Sequence, residues 1–348
     1  MKIVLTYPFL TGKGGMETVI KKVLLNVPSS IQLDFLLPGG SKDESWIKEI
    51  NRNNVKLVFH DFNNPVSILY DTFNYVRKKR PDAVVTMNNL QIVSLLAAKS
   101  FVKGMKIISW NHFSLKYTKA NFLLRKCDLF LAISSGIVDE LEELGIDSSK
   151  IHLVYNPIDK VKELVPSSQG EEKKLIYVGR VQYEKQKNLA ELFRILSHVS
   201  YDYQLEIYGD GPIQEKDKLA KLADSLNISA NITWNGWKNN VWESIKCADL
   251  VLLTSNYEGF PLALVEAINH GIPVISSDCP SGPKDIINTI NGRLYEPGNI
   301  NQAAELINDF CAKKLKFGTS KEIASSVSNL YEENYMKNFW HLVSNECD

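Results

Sequence analysis

An arginine and two lysines stand where a strand hands over to a helix, in Tyr177-Val178-Gly179-Arg180 followed by Glu184-Lys185-Gln186-Lys187-Asn188-Leu189. At a strand's carboxyl end, one Arg and one Lys can clamp a diphosphate, the guanidinium through bidentate hydrogen bonds and the ammonium as a point charge. Cations are unfavourable beside the positive end of a helix dipole unless an anion sits there, which separates this pair from ordinary surface charge. Further along, Ser255-Asn256-Tyr257-Glu258-Gly259-Phe260-Pro261-Leu262-Ala263-Leu264-Val265-Glu266-Ala267 follows the apolar run Leu250–Leu253. Gly259 permits an unusual turn and Pro261 suits the first helical position, so the loop would present Glu258 and several backbone N–H groups. Glu266 lies in the helix beyond, placed to accept hydrogen bonds from a diol. Its neighbours Leu262, Val265 and Ile268 predict a largely buried helix, where an acid needs a partner. A third segment, Thr11-Gly12-Lys13-Gly14-Gly15-Met16-Glu17, follows the first strand. The adjacent Gly14 and Gly15 let backbone approach a ligand, and the helix start offers N–H groups to an anion. No Gly-Lys-Ser/Thr closes the turn, so it is not a P-loop, and a plain tight turn is an equal reading.

These groups must be positioned by a chain of 348 residues, long enough for about two domains. At 44% hydrophobic and 23% charged residues it is neither disordered nor fibrous. No apolar stretch approaches the ~20 residues that cross a bilayer. Met1–Leu10 runs into the glycine turn with no apolar leader or small-residue cleavage site, and the expectation is a cytoplasmic protein. Five scattered cysteines (Cys127, Cys247, Cys279, Cys311, Cys347) form no Cys-x-x-Cys pair, against both a disulfide framework and a zinc site.

Net charge is zero, but residues 1–165 hold 22 Lys+Arg against 16 Asp+Glu and residues 166–348 hold 18 against 24. From Tyr75 to Lys126 there are eleven basic residues and one acid, Asp82. A solvated face is the bland reading; the sharper one is peripheral attachment to anionic membrane or an acidic acceptor, at ~1 kcal/mol per basic residue near a lipid surface. Nucleic acid is disfavoured, since no aromatic-basic ribonucleoprotein motif, zinc finger or heptad repeat is present.

The elements alternate strand and helix. Buried parallel strands are expected at Ile3–Thr6, Gln32–Leu37, Val55–Val58, Ala83–Thr86, Lys106–Ser109, Leu129–Ile133 and His152–Val154, with amphipathic helices such as Glu17–Val27 and Ile68–Lys79 between them. A second series has strands at Leu175–Val178, Gln204–Tyr208, Ile232–Trp234, Leu250–Leu253 and Val274–Ser276, and helices at Leu189–His198, Ile213–Leu226 and Leu262–His270. Asn156-Pro157 and the polar run Val165–Glu172 mark a linker. The fold class is therefore α/β, two Rossmann-like, doubly wound parallel-sheet domains with a cleft as the expected site. They span 1–165 and 166–328, with a helix over 329–348 expected to cross back to the first.

The loop with Glu258 and Glu266 resembles the paired-glutamate motif of family 4 retaining glycosyltransferases of the GT-B fold. The resemblance covers nearly the whole chain. It includes Gly14-Gly15-Met16-Glu17-Thr18-Val19, Ser109-Trp110-Asn111-His112-Phe113-Ser114, Leu131–Ile137, Tyr177-Val178-Gly179-Arg180, Gly209-Asp210-Gly211, Asn235-Gly236-Trp237 and Ser281-Gly282-Pro283. Within the family it is similar to the lipopolysaccharide 1,6-galactosyltransferase group, which uses UDP-galactose. The resemblance implies that Arg180 and Lys187, with Lys185 in reserve, bind the donor's diphosphate, and that Glu266 holds the ribose hydroxyls. Glu258 and the backbone of Gly259, Phe260 and Pro261 would hold the sugar, and the Leu262 and Ala263 amides would meet phosphate. Gly209 and Trp237 belong to the same nucleotide-sugar site, and Gly14 and Gly15 would close over the diphosphate. His112 matches the active-site histidine that contacts the transferred sugar; without its Asn-His-Phe-Ser context it would read as a satisfied core histidine.

No Asp-x-Asp triad is present, so the expectation is a UDP-sugar donor used without metal or other cofactor, with Arg180 and Lys187 supplying the positive charge. The domain of residues 1–165 would take the acceptor, a glycan or lipid-linked glycan, and that of 166–328 the nucleotide sugar. Rival readings are the same fold with UDP-glucose, UDP-GlcNAc or a GDP-sugar, serving capsule or teichoic-type glycans. A non-hydrolysing UDP-sugar epimerase and an inactive scaffold partner are further rivals.

Overall fold

The structure is a computed structural model that describes residues 1–12 and 14–345; Lys13 of the glycine turn and Cys347 lie outside the described residues. Two compact units divide the chain. The first comprises Met1–Pro157 and the chain from Glu332 onward, and the second is Ile158–Tyr331.

In the first unit, seven strands form one parallel sheet: β1 (Lys2–Thr6), β2 (Gln32–Leu37), β3 (Val55–Phe59), β4 (Ala83–Thr86), β5 (Lys106–Asn111), β6 (Leu129–Ala132) and β7 (Ile151–Leu153). Their order is β3-β2-β1-β4-β5-β6-β7. Runs such as Ala83-Val84-Val85-Thr86 and Leu129-Phe130-Leu131-Ala132 are buried throughout, as parallel strands covered on both faces must be. Helices α1 (Gly15–Leu25), α2 (Pro65–Lys79), α3 (Gln91–Lys99) and α4 (Ser135–Glu143) connect them. Local chemistry sets their limits. Asn64 caps α2 by accepting from the Ser67 amide at 2.8 Å, with Pro65 at the first helical position. The helix stops at Arg80, left-handed at φ 50°, before Pro81.

The second unit has six parallel strands: β8 (Lys173–Val178), β9 (Tyr203–Tyr208), β10 (Ile232–Gly236), β11 (Leu250–Leu253), β12 (Val274–Ser277) and β13 (Gly292–Tyr295), ordered β10-β9-β8-β11-β12-β13. Its helices are α5 (Leu189–Leu196), α6 (Ile213–Ser225), α7 (Val241–Ser244), α8 (Leu262–Asn269), α9 (Pro283–Ile286), α10 (Ile300–Cys311) and α11 (Ser320–Ser325). The core under α5 joins Leu175, Tyr177, Phe193, Leu205, Ile207 and Leu252. A last helix, α12 (Glu332–Asn345), packs in the first unit: Glu332 pairs with Lys22 at 2.9 Å, and Phe339 meets Trp110 with ring centres 4.9 Å apart.

Two features differ from the sequence reading. The polar run Val165–Glu172 does not separate the units, which meet at Pro157–Ile158. Val165 donates its amide to the His270 carbonyl (3.0 Å), and Asp249 binds the Ser168 amide (3.1 Å) and hydroxyl (2.6 Å), so this segment is part of the second unit. Strand β13 was not expected, because Gly-Arg-Leu-Tyr carries little apolar signal, as an edge strand can.

Each sheet reverses its strand order once, between β1 and β4 and between β8 and β11. Loops diverge there at the strands' carboxyl ends, which is where open α/β sheets bind ligands.

Candidate active site

The β8–β11 switch point gathers the polar residues of the second unit. After β8 the chain turns at Gly179, and the Tyr177 hydroxyl donates to the Arg180 carbonyl at 2.9 Å. Arg180 is exposed and hydrogen-bonds the neutral Gln186 side chain, which donates in turn to the Tyr257 carbonyl at 3.2 Å. From the β11 side, the Asn256 amide donates to the Gln186 carbonyl at 2.8 Å, so the two loops are one stitched surface.

Lys187 and Glu258 meet there. Lys187 Nζ lies 2.6 Å from Glu258 Oε1, with side-chain exposures of 13% and 7%. The Ser255 hydroxyl donates to the same oxygen at 2.6 Å. Two charges held this far from water are tolerated because they neutralise each other; removing either would strand its partner. Lys185 is different: exposed, and 3.4 Å from Glu215. Geometry therefore favours Lys187 over Lys185 beside Glu258.

Helix α8 opens above this pair. Pro261 is its N-cap rather than its first helical residue, and it offers no side-chain cap. Leu264 is the first residue whose amide reaches an acceptor, the Pro261 carbonyl at 2.9 Å, which leaves the Leu262 and Ala263 N–H groups without an intrahelical partner. Gly259 does not take a positive φ. That conformation falls on the neighbouring loop, at Ser281 (φ 68°) and Gly282 (φ 99°). A Cβ on Gly282 would come within 2.6 Å of Pro261 Cδ, so a glycine there lets the two loops touch.

Glu266, in the second turn of α8, accepts from the Trp242 indole at 2.9 Å, and Trp242 stacks on His270 with centres 4.9 Å apart. The acid thus has the partner its buried helix requires. Gly209 has a packing reason: a Cβ there would lie 1.8 Å from the Gly179 carbonyl oxygen. Trp237 follows β10 and is half exposed.

In the first unit, His112 directly follows β5. It is buried, its ring centre is 4.4 Å from that of Trp110, and its Nε2 has no hydrogen-bond partner among the described residues. Burial pushes its pKa down to about 3, so the imidazole is neutral across the physiological range. Trp110 Nε1 and Asn111 Oδ1 are also buried without partners. The turn beyond is fastened by Glu140, which accepts from the Ser114 hydroxyl at 2.6 Å and the Leu115 amide. A satisfied core histidine is not what the structure contains.

Gly14 and Gly15 begin α1, with Gly14 as an N-cap lacking a side-chain bond. Glu17 closes the turn by accepting from the Gly12 amide (3.0 Å) and the Thr11 hydroxyl (3.1 Å). No cluster of three or more His, Cys, Asp or Glu among the described residues is arranged to hold a metal ion. Ser255, Gln186, Trp242 and Glu140 were not anticipated. Ser255 sits three residues before Glu258, a spacing that could have flagged it; Trp242 and Glu140 act on residues distant in sequence, and Gln186 joins its neighbour Arg180 to the distant Tyr257 carbonyl.

Known proteins bear on this arrangement. The family model for glycosyltransferase family 4 matches residues 13–162, and that for glycosyl transferases group 1 matches residues 162–326. The lipopolysaccharide 1,6-galactosyltransferase of Salmonella typhimurium is 34% identical over 97% of both chains, and that of Escherichia coli is 33% identical over 96% of both. Among solved structures, the apo form of the lipopolysaccharide outer core galactosyltransferase WaaB superposes with a TM-score of 0.87 at 32% identity, covering 99% of this chain and 100% of that one. An Anabaena protein solved with UDP-glucose has the same fold, at a TM-score of 0.80 and 17% identity, covering 99% of this chain and 100% of that one.

Proposed function

This chain belongs to the family 4 glycosyltransferases of the GT-B fold, and from that premise we propose that it transfers a hexose, with retention, from UDP-galactose to a cell-envelope glycan or lipid-linked glycan. The observation that carries the reading is the exposed Arg180 beside the buried Lys187–Glu258 pair at the β8–β11 switch point. The identity of the two lipopolysaccharide galactosyltransferases supports the choice of sugar and acceptor class.

In this reading Arg180, Lys187 and the Leu262 and Ala263 amides hold the diphosphate, with Gly14 and Gly15 contributing backbone. Glu266 takes the ribose hydroxyls. Glu258 and the backbone of Gly259, Phe260 and Pro261 orient the sugar, and Gly209 and Trp237 border the nucleotide. The acceptor hydroxyl attacks the anomeric carbon on the face from which UDP departs. The bond from that carbon to the diphosphate oxygen breaks, and the hydroxyl proton passes to a donor phosphate oxygen. Charge grows on the leaving diphosphate, so fixed cations there stabilise the transition state more than the ground state. A neutral His112 donates or accepts a hydrogen bond at the sugar without adding a competing charge.

The same reading makes the enzyme independent of metal and other cofactors, and places it in the cytoplasm at the inner membrane face as a peripheral enzyme. No helix among the described residues is long and apolar enough to cross a membrane. A panel of UDP-hexoses with truncated envelope glycans, read by mass spectrometry with and without chelator, tests it. Galactose transfer surviving excess chelator is the expected result. Absence of transfer from every UDP-hexose overturns the reading, and a strict Mg²⁺ or Mn²⁺ requirement overturns its metal-free part.

A further inference from the structure

The turn that delivers Lys187 is held from behind. The next residue, Asn188, is left-handed at φ 45° and ψ 52°, a region asparagine tolerates better than most residues. It is the N-cap of α5, yet its side chain caps no helix amide. Instead, buried Asn188 Nδ2 donates to Glu191 Oε2 at 2.8 Å and to Asn256 Oδ1 at 3.1 Å, which spends both of its hydrogens. The Thr254 hydroxyl donates to the Asn188 carbonyl at 3.0 Å and so fixes the backbone of the turn as well.

Glu191 lies in the first turn of α5 and is buried. Its second oxygen accepts from the Tyr295 hydroxyl at 2.8 Å and from the Gly298 amide at 3.2 Å. Burial, and after it the Glu191 carboxylate, push the Tyr295 phenol's pKa well up, so the hydroxyl stays a donor. All three partners are neutral. A carboxylate kept from water by neutral donors alone is costlier than an uncharged residue in the same place.

What the carboxylate adds is direction. A side-chain amide could meet either end of Asn188, whereas a carboxylate only accepts and therefore turns the Asn188 NH2 group toward itself. Asn256 must then present its oxygen to Asn188, and its own NH2 group falls on the Lys185 carbonyl at 2.7 Å and the Glu184 carbonyl at 3.3 Å. The backbone amide of Asn256 takes the Gln186 carbonyl at 2.8 Å. Residues 184–188 are thus fastened along their length, in a sense set by one acid. Asn256 also stands two residues before Glu258, so the relay joins the two loops that meet in the ion pair.

We propose that Glu191 is a positioning residue for Lys187: by fixing the sense of the Asn188 and Asn256 amides, it aims the Lys187 ammonium at the donor's diphosphate. This deepens the transferase reading and rests on its placing of Lys187.

The test compares the affinity of the full chain for UDP and for uridine, which has the same base and ribose but no phosphate for Lys187 to reach. Asn188→Gly keeps the left-handed turn, which glycine adopts freely, and removes the relay. Glu191→Gln keeps an oxygen for Tyr295 and Gly298 but sets an NH2 group against that of Asn188. Each variant is expected to bind UDP about tenfold more weakly, the scale of lost outer-shell partners, with uridine affinity unchanged. In a chain that already carries Lys187→Ala with Glu258→Gln, Asn188→Gly should weaken UDP no further. UDP held by either variant as tightly as by wild type, a parallel loss of UDP and uridine, or a further loss in the Lys187→Ala background overturns the positioning role while wild type still binds UDP. Wild type that binds no UDP overturns the transferase reading, and this inference with it.

Discussion

At the carboxyl edge of the second sheet, charge is buried in pairs, Lys187 against Glu258, while Glu266 holds an indole N–H. At the same edge of the first sheet, the end of β5 buries three neutral groups that have no partner among the described residues: the Trp110 indole, the Asn111 side-chain carbonyl and the His112 Nε2. The two arrangements suit different tasks. In the proposed transferase, a lysine already held at this switch point can be shared between Glu258 and an incoming diphosphate, so that the carboxylate keeps its counterion. A neutral histidine in a dry setting keeps its hydrogen-bonding capacity for one polar partner and, in the proposed transferase, adds no charge beside the sugar. Each half of this contrast can be broken separately.

The largest effect is expected at Lys187. Lys187→Ala leaves Glu258 buried with only the Ser255 hydroxyl, and should cost about 3–5 kcal/mol of stability as well as transfer. Adding Glu258→Gln should restore stability to denaturant and leave transfer off. If the single variant melts like wild type, the pair is not the buried contact described here.

Arg180→Ala removes an exposed cation whose protein partner is a neutral amide, so stability should hardly move. Its turnover should fall by roughly 10²–10³, the range for one lost transition-state donor. Steady-state kinetics beside a thermal melt separates the two positions.

Next come His112→Ala and Glu266→Ala, each expected to cost about 1.5–3 kcal/mol if its partner is a polar group of the donor. The first should appear in kcat, because the sugar is where charge develops. The second should appear in the donor KM, because ribose contacts are alike in ground and transition states. Identical kinetic signatures would erase the distinction between the two edges.

The smallest effect is a pH dependence. His112 titrates near 6.5 when unfolded and is held down to about 3 by burial when folded, so across that window only the unfolded chain takes the proton. Stability from this group is complete well above pH 6.5 and declines as pH falls through it, by about 1.4 kcal/mol one pH unit below. Urea melts at neutral and mildly acid pH should show this slope, and His112→Asn should flatten it.

Much of the scaffold could be read from residue type alone. Leu250–Leu253 is four apolar residues between polar neighbours, and β11 has those limits. Where the signal is weak the reading failed, as at β13. In the site, Arg180, Lys187 and Glu258 were legible because cations and acids at strand ends are costly without a purpose. That Lys187 and Glu258 hold each other was not legible. They are far apart in sequence, no periodicity links them, and only the β8–β11 crossover brings their loops together. Trp242 was hidden for the same reason: nothing in a short polar segment announces that its indole caps an acid on another helix. The turn chemistry around Gly259 misled, since the left-handed residues it suggested occur on the loop packed against it.

The first unit is discontinuous, and that bears on how the protein is made. Phe339 packs on Trp110, which packs on His112, yet Phe339 follows the whole second unit in sequence. Domains tend to fold in the order in which a ribosome releases them. Here the segment before the second unit waits for the helix after it, with the Trp110 face uncovered, while the second unit is synthesised and completes its own core. A transcript cut short before residue 332 would yield a sound second unit joined to an open, aggregation-prone first one, so the histidine's surroundings are finished only once α12 has been made.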